Sequence, residues 1–147
     1  MKKFLLLSMI LSASVFAIAQ TTSNYSGDVD KAFGLIKNAA FKNGYKYLIT
    51  YSEVNHAAIN VEQNTGYLMF FVYDNTKHPH TDFKVSLMTP DSALQKKYTT
   101  RPFDRAQVGV ARAAQLQFQT QKFPSADTRP VKLEANPKST IYIFYKK

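Results

Sequence analysis

The sequence predicts a mainly β fold, an antiparallel β-sandwich of about seven strands preceded by one α-helix. Three observations lead there. From Tyr45 to Tyr145, short segments of alternating apolar and polar residues are separated at regular intervals by Gly, Pro, Asn and Asp. One segment, Gly66–Asp74, is an unbroken apolar run bounded by turn residues, as expected of a strand covered on both faces. Clear helical periodicity is confined to one stretch, residues 28–43. Were residues 104–121 to prove helical, the class would become α+β, with a second helix over one sheet face.

The N-terminus has the layout of an export signal. Lys2-Lys3 precede an apolar stretch from Phe4 to Phe16, and Ala17-Ile18-Ala19 supplies a small-x-small cleavage site. The run is short for a membrane span and lacks a charged stop-transfer flank. Residues 1–19 are therefore expected to be removed, leaving residues 20–147 as a single secreted domain without a transmembrane anchor. The chain has no cysteine, so this domain must hold together by burial rather than by disulfides.

Ser26 or Asp28 can cap the helix over 28–43. Asp28 and Asp30 favour its first turn, Val29, Phe33, Ile36 and Ala40 form an apolar stripe, and Gly44 suits the position just past its end. Tyr45 to Glu53 alternates as a strand, and His56 to Glu62 as another with Ala57, Ile59 and Val61 inward. Asn64-Thr65-Gly66 turns into the central strand. A polar loop over residues 74–80 follows. Phe83, Val85 and Leu87 then mark a strand that stops at Pro90. Over Ala114–Gln121, Leu116 and Phe118 alternate with Gln115, Gln117, Gln119 and Gln121, and this strand pattern outweighs helix propensity. Residues 105–113 read either way. Val131–Glu134 and Thr140–Tyr145 are strands, with Asn136-Pro137 read as a turn between them.

From Gly66 onward the layout resembles the secreted bacterial β-sandwich accessory domains of the pre-peptidase C-terminal type. The residues concerned are Gly66-Tyr67, Asp82-Phe83-Lys84-Val85-Ser86-Leu87 and Pro90-Asp91. The resemblance implies a non-catalytic module that binds or positions something at the cell exterior. Where such domains carry a second Asp two residues after the first, this chain has Lys84, a departure that bears on acidic cation binding.

Charge is distributed unevenly. Residues 20–90 carry six basic and six acidic side chains, whereas residues 91–147 carry eleven basic and four acidic. The basic half points to an anionic partner outside the cell, an acidic polysaccharide or envelope lipid. Its candidate anion-binding residues are Lys96, Lys97, Arg101, Arg105, Arg112, Arg129, Lys132 and Lys138, Arg as a fork and Lys as a point charge. The chain has neither a nucleic-acid-binding motif nor a dense basic stripe. His78, His80 and Asp82, with His56 elsewhere, are the candidate ligands of a divalent metal, since neutral imidazole and carboxylate suit borderline ions. No nucleophile elbow, zinc-protease motif or phosphate-binding glycine loop occurs, and no catalytic residue or organic cofactor is assigned.

The expected function is that of an exported, non-catalytic binding module, periplasmic or extracellular, engaging an anionic component through its C-terminal half. The alternative is a structural protein docking on another secreted protein. The third reading is a small metal-binding protein or hydrolase.

Overall fold

The computed structural model describes residues 24–77 and 80–147. The expected export signal and His78 lie outside the described residues. The described elements are helix α1 (Tyr25–Lys42) and strands β1 (Lys46–Glu62), β2 (Gly66–Asp74), β3 (Asp82–Met88), β4 (Leu94–Thr99), β5 (Arg101–Pro102), β6 (Ala111–Gln119) and β7 (Thr128–Lys146), with a 3₁₀ turn at Asp104–Ala106. The class is mainly β with one helix, as expected.

All seven described strands belong to one antiparallel sheet, in the order β4-β3-β7-β2-β6-β5 with β1 also on β7. β1 lines one edge of β7 from Lys46↔Tyr145 to Glu62↔Thr128. The other edge is shared: β2 pairs with its C-terminal part, Gly66↔Lys146 to Val72↔Thr140, and β3 with its N-terminal part, Asp82↔Asn136 to Leu87↔Val131. The sheet thus folds on itself into two facing layers, one holding β2, β6 and β5 and the other β3 and β4, with β1 and β7 running through both. Aromatic contacts close the space between them. Phe83 meets Phe71 at 5.0 Å between ring centroids, and Tyr98 stacks on Phe118 at 4.3 Å.

β2 explains itself by this geometry. Tyr67, Met69 and Phe71 enter the core between the layers, while Leu68, Phe70 and Val72 enter a second core beneath α1. Covered on both faces, the strand must be apolar from Tyr67 to Val72. α1 contributes Val29, Ala32, Ile36 and Ala40 to that second core.

Several boundaries differ from the sequence reading. The helix begins at Tyr25 because Asn24, rather than Ser26 or Asp28, caps it, its Oδ1 accepting the Gly27 N–H at 3.2 Å. Asp28 instead accepts the Val110 N–H at 3.0 Å. At the other end, Gly44 with φ +79° closes a Schellman motif, Tyr45 N–H donating to Ala40 O and Gly44 N–H to Phe41 O.

The two strands expected over 45–62 are one bulged strand. The register shifts between Tyr47 and Ile49, and again around Glu53, which has φ +52°. The first shift sends Tyr47 to the helix side, against Phe33 and Phe144, while Tyr51 packs into the core between the layers. Asn136-Pro137 is no turn, since β7 passes straight through it. Pro137 falls in a stretch of β7 without ladder pairs to β1, so its missing N–H removes no sheet bond there. β4 was not foreseen, because its side chains are mostly exposed and leave little apolar signal. The second helix considered for 104–121 is absent, as only Asp104–Ala106 are helical there and Ala111–Gln119 is strand.

Candidate functional site: a basic groove beside the helix

β6 sets up the site through its outward-facing positions. At its start these are Ala111 and Ala113, small residues buried under the N-terminal part of α1. Further along they become Gln115, Gln117 and Gln119, which the helix leaves uncovered. Across the sheet, Gln115 faces Phe70 on one side and Arg101 on the other, Gln117 faces Leu68, and Gln119 faces Gly66. Gly66 in turn faces Lys146 on β7. The Tyr45 ring takes the space a side chain at Gly66 would need, its hydroxyl 3.7 Å from where a Cβ would stand.

The result is a trough made of two adjoining hollows of about 490 and 570 Å³. They share Tyr45, Arg101, Gln115 and Gln117. One wall is the end of α1 at Ala39 and Asn43. The other is the segment from Arg101 to Arg105, anchored where Phe103 N–H donates to Ala113 O at 2.8 Å and its ring meets Phe70 at 4.9 Å. Tyr45 forms part of the floor. Burial pushes its phenol pKa up, and the Gln117 side chain hydrogen-bonded to it works against that rise.

Three cations line the trough. Among the described residues none of Arg101, Arg105 and Lys146 makes an ion pair; the pairs there are Lys77–Asp74, Lys84–Asp82, Lys84–Glu134 and Lys147–Glu62. Lys146 donates to the Asn43 carbonyl at 3.1 Å, at the helix C-terminus where a cation is favoured. The one carboxylate in the lining, Asp104, accepts from Gln107 Nε2 at 2.9 Å. The guanidinium groups of Arg101 and Arg105 therefore face solvent with no carboxylate bound to them.

The other candidate basic residues lie elsewhere. Lys97 and Lys132 flank Ser86 on the outer face of β3, β4 and β7. Lys96 sits over the Tyr98 ring at 5.1 Å. Arg112 donates to the carbonyls of Gly109 and Ala111. Lys138 lines a small hollow with Glu53 and Asp74. Arg129 is buried, 5% exposed, its guanidinium 5.4 Å from the Phe123 ring centroid and its Nε without a hydrogen-bond partner. The basic half is thus not one surface; of the eight residues, Arg101 and Arg105 converge in the trough. Lys146, Tyr45, Gln115 and Gln117 join them, and the sequence signal for the amides was their strict outward alternation.

His56 and Asp82 line a hollow of about 330 Å³ with Lys84 and Glu134. Asp82 bonds to Lys84 at 3.0 Å, and that bond, followed by the charges of Asp82 and Glu134, raises the pKa of the ammonium. His80 is exposed. Among the described residues no group of three or more His, Cys, Asp or Glu side chains is placed to hold a metal ion. No described helix is long and apolar enough to cross a membrane.

Comparison with models of protein families, with curated proteins and with solved structures finds no match.

Proposed function

We propose that this chain is an exported, non-catalytic binding module that takes an anionic envelope or extracellular component into the trough beside α1. The observation that carries this reading is the set of cations without carboxylate partners, Arg101, Arg105 and Lys146, gathered along one groove. Unpaired Arg side chains keep their fork of donors free for carboxylate, sulfate or phosphate oxygens. Export is inferred from the pattern of residues 1–19, and the resemblance to secreted accessory domains supports the non-catalytic role.

The test is binding of residues 20–147 to anionic polysaccharides and anionic lipid vesicles across a salt series, with Arg101→Ala/Arg105→Ala as the comparison. Binding should weaken steeply with salt, and the double variant should lose about tenfold or more in affinity, which is about 1.4 kcal/mol. An unchanged affinity in the double variant would move the site away from the trough.

A second reading, docking on another secreted protein, has its own support in β1. Among the described residues this strand pairs only with β7, and its start exposes Tyr47, Leu48 and Ile49. A partner recovered by crosslinking through these residues would favour it over the first reading.

A further inference from the structure

We propose that the ligand of the trough is a linear acidic glycan, a chain of sugar rings bearing carboxylates. This rests on the anion-binding reading above and adds the ligand class.

Three features carry the inference. The first is the ratio of amides to cations. Gln115, Gln117 and Gln119 all face the trough, and Asn43 stands at its wall with one amide hydrogen already given to the Ala39 carbonyl at 2.7 Å. Each primary amide offers donors and an acceptor at once, which matches neighbouring sugar hydroxyls and is wasted on a phosphate that only accepts. The second is spacing. Alternate residues of a strand lie about 6.8 Å apart along it, so successive Gln side chains can address successive rings of an extended chain. The adjoining hollows, sharing four residues, give such a chain a continuous path from Gln119 to Arg105.

The third feature is the sign of the helix end. α1 presents its C-terminus to the trough, at Asn43, and Lys146 is already drawn to that carbonyl. Phosphate sites are built at helix N-termini, where amide N–H groups and the positive dipole end meet the anion. A helix C-terminus repels negative charge, the concentrated charge of a phosphate more than a single carboxylate. The two Arg forks suit carboxylate and phosphate alike, so the choice between them rests on the amides and the helix end.

The experiment is calorimetric titration of residues 20–147 with four probes. They are a short oligouronate, the neutral oligosaccharide of the same backbone, inorganic polyphosphate of matching charge, and the uronate monomer. Each is repeated with Gln115→Ala/Gln117→Ala and with Arg101→Ala/Arg105→Ala. All four positions are partly or fully exposed, and thermal unfolding checks that the variants fold. The oligouronate should bind more tightly than the other three. The amide variant should weaken it about tenfold or more without changing polyphosphate binding, and the arginine variant should weaken both anions. Polyphosphate binding as tight as oligouronate, untouched by the amide variant, would overturn the glycan inference and leave the anion-binding reading in place. Equal binding of the neutral oligosaccharide would overturn the role given to the arginines and the glycan's acidity together. No binding by any of the four probes would overturn the glycan inference, and no binding to the anionic vesicles of the salt series as well would overturn the anion-binding reading too.

Discussion

Replacing Gly109 by alanine should destabilise the fold far more than a one-carbon change suggests. Gly109 has φ +52°, a conformation that costs a residue with a Cβ about 1–2 kcal/mol. The added carbon would also collide with the Asp28 carboxylate, lying 2.6 Å from its Cγ and nearer still to Oδ2. That carboxylate accepts the Val110 N–H at 3.0 Å, tying the first turn of α1 to the entrance of β6. Relieving the clash means moving Asp28 and losing a charge-assisted bond worth about 1.5–3 kcal/mol. The expected loss in Gly109→Ala is therefore about 2.5–5 kcal/mol, measured by urea unfolding with an unchanged m-value. Gly34→Ala is the control. Gly34 is exposed on α1 with nothing within 4 Å of a new Cβ, so the substitution should stabilise by about 0.5–1 kcal/mol. In Asp28→Ala/Gly109→Ala the collision is gone, so the double variant should be markedly less damaged than the sum of the singles. A loss below about 0.5 kcal/mol for Gly109→Ala, or simple additivity in the double variant, would refute this reasoning.

Other expectations concern the core and pH. Phe118 stacks between Tyr67 at 5.4 Å and Tyr98 at 4.3 Å, bridging the two layers, so Phe118→Ala should cost about 3–5 kcal/mol in denaturant unfolding. Asp74 is buried, which alone would raise its pKa, but the Thr76 hydroxyl and amide and the Lys77 ammonium outweigh burial and hold it below the ordinary value. Its contribution to stability is thus present above about pH 3.9 and lost as pH falls through the lower folded value. Asp74→Asn should flatten acid unfolding in that range. Burial first, then the charges of Asp30, Tyr47 and Glu53, push the Tyr142 phenol up to about 12. The stability tied to its neutral form is complete below about pH 10 and is lost as pH rises through the folded value. Tyr142→Phe should therefore unfold less steeply with alkali, followed by circular dichroism alongside tyrosinate absorption.

Short-range periodicity accounts for the features that were legible in the chain before folding. The apolar run at Gly66–Asp74 could only be a strand covered twice, and the structure covers it with α1 on one side and the facing layer on the other. The inward positions at Val85, Leu87, Leu116 and Phe118 follow from the two-residue repeat, as Gly44 follows from helix-end chemistry. The outward Gln row of β6 was visible too, and it lines the trough.

The rest depends on which distant segments meet, and short-range periodicity carries no record of that. That the β1 bulge around Glu53 and the Asn136-Pro137 stretch interrupt neither strand follows from their lying opposite each other in one ladder. Arg101 and Arg105 share a site with Lys146 because β5 pairs with β6, β6 with β2, and β2 with the end of β7. The other six basic candidates, equally cationic in sequence, were carried to other faces or, for Arg129, into the interior. Net charge is a sum over the chain, whereas a binding site is a matter of position, and strand register assigns positions.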